Sequence, residues 1–450
     1  MMAKKCRFGL FIILALSMTL CFASTGMSAA PSGEPIVIGY VGMVLSPGTR
    51  PCLAIQKVAI QEINEAGGVL GRPLKYVIAD NKGATSLSVE GARRLLVEDK
   101  AIFISVEGRT EICLAVQENN ASMFKDYPHI LIFNGATGIE LTERVFDDYD
   151  RFHFCFRPWD PEPVHYSWLD GIVERGMKKA MGAKKIAVLW EDLAWTDLMR
   201  EGIDYLNLPG WEEVFEKRYG MEVVYSKAVK PRGTMYLPLL QQIAGKKPDV
   251  IFYISSWFTD TESFVKQWAD SAARDMPVVL YGGVSQTSGF WKLTGGKALG
   301  VVSSYFEGDI PFTEKTLPFI AMAKRHKIPL QLHVHLAYAD IYHMKAAIEA
   351  AGGTDDIEKL IKAFSEVKTT YSLGREEIET RMIRPYVHCR KTCDPNDPFT
   401  MLKGQFMLPI AQYHHDGKIK FISATTEEDI YDGYVDPKNY IPPAELRKSR

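Results

Sequence analysis

Two short runs in this chain offer the backbone and hydroxyl groups that receive an anion. Gly108-Arg109-Thr110 follows the apolar run Ala101 to Ser105 and precedes a helical pattern, so its N–H groups stand at a helix start beside a threonine hydroxyl. Asn134-Gly135-Ala136-Thr137 follows the next apolar run in the same way. Arg109 either lies in solvent or pairs its planar fork with a carboxylate, a sulfonate or a second acid group. Two other loops carry tryptophan: Trp190-Glu191-Asp192-Leu193-Ala194-Trp195 and Ser255-Ser256-Trp257-Phe258. Rings at the ends of strands, in loops, suit stacking on a flat or apolar ligand.

Catalytic and metal chemistry finds little support. No GxSxG, HExxH or GxxxxGK[ST] pattern is present, and Ala66 to Arg72 is a turn leading into a strand rather than a phosphate cradle. His333, His335 and His343 share one predicted helix, but their angular and axial spacing keeps them from one ion. His388 with Cys389 and Cys393 makes a thin zinc set, and the two cysteines could instead close a small disulfide loop in an oxidising compartment. His414-His415 lies beside a hairpin turn and reads as solvated. Neither an enzyme nor a cofactor is expected.

The elements that must position these loops begin at Ile36. Ile36 to Tyr40 is a β-branched run, Ile55, Val58, Ala59 and Ile63 share one helical face, and a second strand ends at Asp80. This βαβ unit makes the strands parallel and puts the loop Gly42 to Pro51 at the ligand-binding rim of the sheet. Helix Ser86 to Glu98, strand Ala101 to Ser105, helix Ile112 to Met123 and strand Ile130 to Phe133 continue the alternation. The proline-dense RPWDPEP from Arg157 interrupts it and reads as a crossing.

A second alternation runs through helix Val164 to Gly176, strand Ile186 to Trp190, helix Thr196 to Leu206 and strand Glu222 to Ser226, and on through strands Val250 to Ile254 and Val278 to Tyr281. Three helices between Glu314 and Ser365 rejoin the first unit, and a hairpin around His415-Asp416-Gly417 closes the second. The expected fold class is α/β: two doubly wound, Rossmann-like lobes joined by a multi-crossing hinge. The boundaries read as residues 35–156 with 307–368 for lobe one and 157–306 with 369–425 for lobe two, then a tail over 426–450.

With 450 residues and 46% hydrophobic content the chain can bury two cores, and a net charge of −2 leaves no basic footprint for nucleic acid. Lys4, Lys5 and Arg7, the apolar run Phe8 to Phe22 and the small residues through Ala30 follow the plan of a cleaved secretory signal, residues 1–30. Cys21 has leucine before it, which argues against lipidation. Cys52, Cys113, Cys155, Cys389 and Cys393 remain in the exported chain.

The runs IGYVGMVLSPG, AIQEINEAGGVLGRPL and ADNKGATSLSVEGARRLL add a resemblance. From about Ile36 to about Lys420 the chain resembles the periplasmic substrate-binding proteins of ATP-binding cassette importers, in the branch typified by the leucine/isoleucine/valine-binding protein. That resemblance implies the type I periplasmic binding protein fold and a carboxylate site formed by Gly108, Thr110, Gly135, Ala136 and Thr137. It puts Trp195 and Trp257 where relatives place ligand-covering aromatics, and Ser46 and Arg50 in a loop where relatives are often glycine-rich or aromatic. It also implies a disulfide in the first lobe, for which Cys52 and Cys113 are the pair and Cys155 the odd thiol. Relatives that bind α-amino acids carry a glutamate close to Val284, and here it is missing. Asp260, Glu307 or Asp192 could substitute, or the ligand has no ammonium group.

The expected function is therefore that of an exported, monomeric solute-binding component of an importer, holding a small carboxylate with an aromatic or apolar body and meeting a membrane permease. Two alternatives stand beside it: a branched-chain or other amino-acid binder of the same importer class, and a periplasmic ligand sensor for a receptor or kinase.

Overall fold

A computed structural model describes residues 30–159, 161–232, 235–425 and 433–449. The expected signal thus lies outside the described residues, apart from Ala30. Strands β1 (Ile36–Gly42), β2 (Leu74–Asp80), β3 (Phe103–Glu107), β4 (Ile130–Asn134) and β5 (Cys155–Phe156) form one all-parallel sheet in the order β2-β1-β3-β4-β5. Its register sets Ile36 opposite Leu74 and Ile38 opposite Phe103. Nearly every side chain of β1, β3 and β4 is buried, because helices cover both faces of a parallel sheet, whereas the edge strand β2 is only partly covered.

Helix α1 (Thr49–Glu65) is buried on two sides. Ala59, Ile60 and Ile63 pack on the sheet, while Ile55 and Val58 pack on Phe319, Ile320 and Val334 of two returning helices, Thr316–Arg325 and Leu332–Ala351. Helices α2 (Thr85–Val97) and α3 (Thr110–Met123) complete the alternation.

The second sheet has strand β6 (Lys185–Glu191) between Glu222–Val229 and Val250–Ile254, followed by Val278–Tyr281 and Val302–Ser304, all parallel. Ile410–Tyr413 and Ile419–Ser423 extend it as an antiparallel hairpin. Separate apolar clusters cover its two faces, one centred on Trp190, Trp211 and Phe252, the other on Tyr253, Phe264 and Trp268. The fold is α/β with two Rossmann-like lobes.

The proline-dense crossing is fixed by buried charge. Arg157, fully buried, donates through its backbone N to His388 O at 2.8 Å, and its guanidinium reaches Gly138 O at 2.6 Å. Arg390 spans to Pro158 O at 2.7 Å and lies 3.5 Å from Glu376, with both partners of that pair fully buried.

Three expectations need correction. The helix expected over Thr196 to Leu206 stops at Glu201: Gly202 has φ +90, and a Cβ there would meet Leu208 O at 2.5 Å. A two-residue hairpin, Gly202–Ile203 against Leu208–Pro209, replaces it. His414, expected in solvent, is 7% exposed, and burial pulls its imidazole down to about 4.

The disulfides are absent as well: Cys52, Cys113, Cys155, Cys389 and Cys393 are all buried thiols. Cys52 lies on the side of α1 that faces Phe319, whereas Cys113 points into the core of the sheet, so their side chains occupy different clusters. Cys389 and Cys393 both remain thiols, and Cys389 donates to Tyr386 O at 2.7 Å. His388, the remaining member of the expected zinc set, stacks on Phe156 at 4.3 Å with 7° between planes. Among the described residues no group of three or more potential ligands could hold a metal ion.

Candidate functional site

The strands of the first lobe end at a common rim, and three of their loops turn into one cleft. After β1, Ser46 braces the turn into α1: its Oγ accepts from Thr49 N at 3.1 Å. Thr49 in turn donates to Glu107 Oε1 at 2.8 Å, and the Tyr40 hydroxyl donates to the other oxygen of the same carboxyl. Burial raises the Glu107 pKa against the pull of these two hydroxyls.

After β3, Gly108 and Arg109 lead into α3, whose first N–H groups have no intrahelical partner by construction. The Arg109 guanidinium is turned to the rim, half exposed and 3.0 Å from Glu111. After β4, Gly135 adopts φ +83, a region that glycine enters without penalty, and this swings Ala136 and Thr137 into the cleft. Thr110 Oγ1 accepts from Gly138 N at 3.2 Å, so one threonine holds the loop. The other, Thr137, is buried with its hydroxyl unpartnered among the described residues.

The second lobe contributes aromatic rings. Glu191, fully buried at the end of β6, accepts from the indole N–H of Trp195, from Thr259 Oγ1, and from Ser256 Oγ at 2.9 Å. One carboxylate thus orients both tryptophan-bearing loops, with hydrogen bonds to a charged acceptor contributing about 1.5–3 kcal/mol each. Trp257 lies over Gly48 of the first lobe, so the two lobes are in contact across the cleft mouth.

The floor belongs to the hinge. Trp159 stacks on His333 at 4.3 Å with 14° between planes. His165 is bonded through Nδ1 to the Tyr281 hydroxyl at 2.5 Å, and Trp168 is tilted 40° to it at 4.5 Å. Desolvation holds His333 down to about 4 and His165 down to about 3, so both are neutral imidazoles at neutral pH. Together the walls enclose a cavity of 480 Å³. That is about three times the roughly 150 Å³ that accommodates a benzene ring.

A cleft between two Rossmann-like lobes, lined by loops at the carboxyl ends of both sheets, is the geometry in which a ligand is enclosed by lobe closure. Residues 36–386 match the family model described as Periplasmic binding protein. The chain belongs to the periplasmic binding protein family. Leu/Ile/Val-binding protein homolog 3 of Brucella melitensis is 24% identical over 363 residues, spanning 79% of this chain and 90% of that protein. Leu/Ile/Val-binding protein BraC3 of Rhizobium johnstonii is 22% identical over 312 residues, 69% of this chain and 77% of the relative. A solved solute-binding protein of an ABC transporter from R. palustris, in complex with 4-hydroxybenzoate, superposes with TM-score 0.64 at 20% identity, covering 87% of this chain and 97% of that one. A branched-chain amino acid transporter substrate-binding protein from Streptococcus pneumoniae, in complex with isoleucine, gives TM-score 0.64 at 17% identity over 86% of this chain and 99% of the other.

Within this periplasmic binding protein, Gly108, Arg109, Thr110, Gly135, Ala136, Thr137, Trp195, Trp257 and Ser46 all line the one cavity. Two expected residues do not. Val284 packs into the second-lobe core with Trp291 and Phe312, because the 3-10 turn Gly283–Gln286 aims Gln286 at the cleft in its place. Arg50 is exposed on the first turn of α1 and lies outside the cavity wall. The three acids considered as substitutes for the missing glutamate are also elsewhere: Asp260 caps the helix Thr261–Ala269, Glu307 accepts from Leu330 N at 3.0 Å, and Asp192 is outside the wall.

Sequence reasoning missed Glu107, Trp159, His165, Trp168, Tyr281 and the exposed Arg232, all of which line the cavity. Tyr281 ends a strand with the expected limits, Val278 to Tyr281, whereas Glu107 lies beyond the strand end expected at Ser105. The hinge residues carried no such signal.

Proposed function

We propose that this chain is the exported solute-binding component of an ATP-binding cassette importer and captures a small carboxylate with an aromatic or apolar body. The observation that carries the reading is the asymmetry of the cavity. Its first-lobe wall offers helix-start N–H groups and the unpartnered Thr137 hydroxyl, whereas its second-lobe wall offers Trp195 and Trp257, with Trp168 and Tyr281 at the floor. No carboxylate of the second lobe lines the cavity among the described residues, which disfavours an ammonium group facing those rings.

In this reading Gly108, Thr110, Gly135, Ala136 and Thr137 receive the carboxylate, and Trp195 and Trp257 close over the body of the ligand. Arg109, paired with Glu111 at the rim, steers anions rather than clamping them. The closed lobes, bounded as residues 35–156 with 307–368 and 157–306 with 369–425, then present a joint surface to a permease, and the binding protein acts as a monomer. Export rests on the charged, apolar and small-residue plan of residues 1–30. No helix among the described residues is long and apolar enough to cross a membrane.

A second reading is favoured by one specific residue. Glu107 is a carboxyl in the cavity wall, and it could receive the ammonium of a branched-chain or other amino acid from the first lobe. Its two oxygens already accept from Tyr40 and Thr49, which makes this the weaker reading. Melting shifts separate the two. Benzoate-type acids at a hundredfold excess over Kd should stabilise the protein by about 2.7 kcal/mol, with no response to leucine or phenylalanine. Stabilisation by the amino acids alone contradicts the first reading.

A further inference from the structure

The cavity floor holds a polar atom that the carboxylate site does not use. His165 lines the cavity at 3% exposure; its Nδ1 is taken by Tyr281, and its Nε2 is buried without a partner among the described residues. The neighbouring Trp168 likewise lines the cavity with a buried, unpartnered indole N–H. A buried polar atom left unpaired costs about 1–3 kcal/mol, so in the liganded state something must satisfy it. Apolar rings surround the pair: Trp195 lies 6.5 Å and Tyr281 5.9 Å from the imidazole, centroid to centroid.

We propose that His165 is a specificity-determining residue that reads a hydroxyl group carried by the ligand in addition to its carboxylate. A hydroxyl is the group that fits, because it both donates and accepts. It therefore satisfies Nε2 whichever ring nitrogen carries the proton, and it leaves an oxygen for the Trp168 N–H. A second carboxylate does not fit, since a charge buried among these rings would face a neutral imidazole, and the buried Arg157 guanidinium nearby is already bonded to the carbonyls of Ala136 and Gly138. The inference rests on the aryl-carboxylate reading above and adds to it the group that distinguishes one member of that class from another.

The test is calorimetric titration of matched pairs, benzoate against 3- and 4-hydroxybenzoate, and phenylalanine against tyrosine, on wild type, His165→Phe and His165→Gln. Wild type should bind one hydroxylated aryl acid about tenfold more tightly than the parent acid. His165→Phe should abolish that preference while binding the parent acid at least as well. His165→Gln, whose amide reaches the position of Nε2, should keep it. Circular dichroism and melting of each variant identify a folding defect, and the Gln variant then carries the comparison. Equal affinity for both members of the aryl pairs in wild type, or an undiminished preference in His165→Phe, overturns the proposal. Binding of the amino acids alone contradicts the aryl-carboxylate reading, and in that case a tyrosine preference lost in His165→Phe still supports the hydroxyl site, while its absence overturns it. Binding of neither class overturns both.

Discussion

Gly48 and Trp257 meet across the cleft in a tight contact: a Cβ on Gly48 would stand 3.1 Å from the indole Cγ and 3.2 Å from Cδ2. Gly48 has φ −75 and ψ −44, a conformation open to any residue, so the requirement is for space alone. The contact joins the start of α1 in one lobe to a ligand-facing loop of the other.

Gly48→Val should therefore hold the lobes apart without disturbing either core. Overpacking costs about 1–3 kcal/mol, and here that cost falls on the closed state. Ligand affinity should drop about tenfold or more, with the melting temperature of the ligand-free protein nearly unchanged. Titration calorimetry alongside melting checks this, and unaltered affinity would contradict it.

Glu191 is the anchor of the second-lobe wall, holding Trp195, Ser256 and Thr259 at once. Glu191→Ala leaves three donors without their acceptor in a buried site. Stability should fall by about 3 kcal/mol, and ligand affinity should fall further than in Trp195→Phe, because two loops lose their orientation together. Denaturant unfolding and ligand titration of both variants provide the comparison.

The architecture was legible from periodicity. Ile55, Val58, Ala59 and Ile63 on one helical face are all buried, and strands Val250–Ile254 and Val278–Tyr281 have the expected limits. Loops at strand ends were legible for the same reason, since the sheet fixes where they point. What escaped was set by contacts distant in sequence. Trp159 reaches the floor by stacking on His333, and Val284 turns inward because a 3-10 turn follows its strand. The helix expected after Thr196 failed on a single left-handed glycine, Gly202.

The thiols offer a direct check on the cores. Burial pushes the Cys113 and Cys155 thiols well above their ordinary range, and Cys52 rises for the same reason. The native protein should thus be inert to a thiol-specific reagent near neutral pH, and Cys52, Cys113, Cys155, Cys389 and Cys393 should all react once guanidinium unfolds it. A mass unaffected by reductant is expected; a loss of two hydrogens relative to the reduced mass would place a disulfide where the structure has none.

Glu162 gives a pH dependence with a defined sign. Desolvation raises its carboxyl to about 8 against the opposing pull of Arg157, while in the unfolded chain it titrates near its ordinary 4.5. The protonated group contributes stability that is complete below pH 4.5 and lost as pH rises through 8. The stability of wild type minus that of Glu162→Gln should fall across this window, by at most about 1.4 kcal/mol per pH unit, and level off above it. Urea unfolding at several pH values measures the difference, and a pH-independent gap contradicts the assignment.

The central claim is that the 480 Å³ cavity between the lobes takes an aryl carboxylate by its acid group at the first lobe and its ring at the second. Titration calorimetry of benzoate-type acids into wild type, Thr137→Val and Trp195→Ala tests it most directly. One-to-one binding by wild type is expected, weakened about tenfold or more by each substitution. Binding that neither substitution weakens, or binding of leucine with none of the aryl acids, would contradict the account.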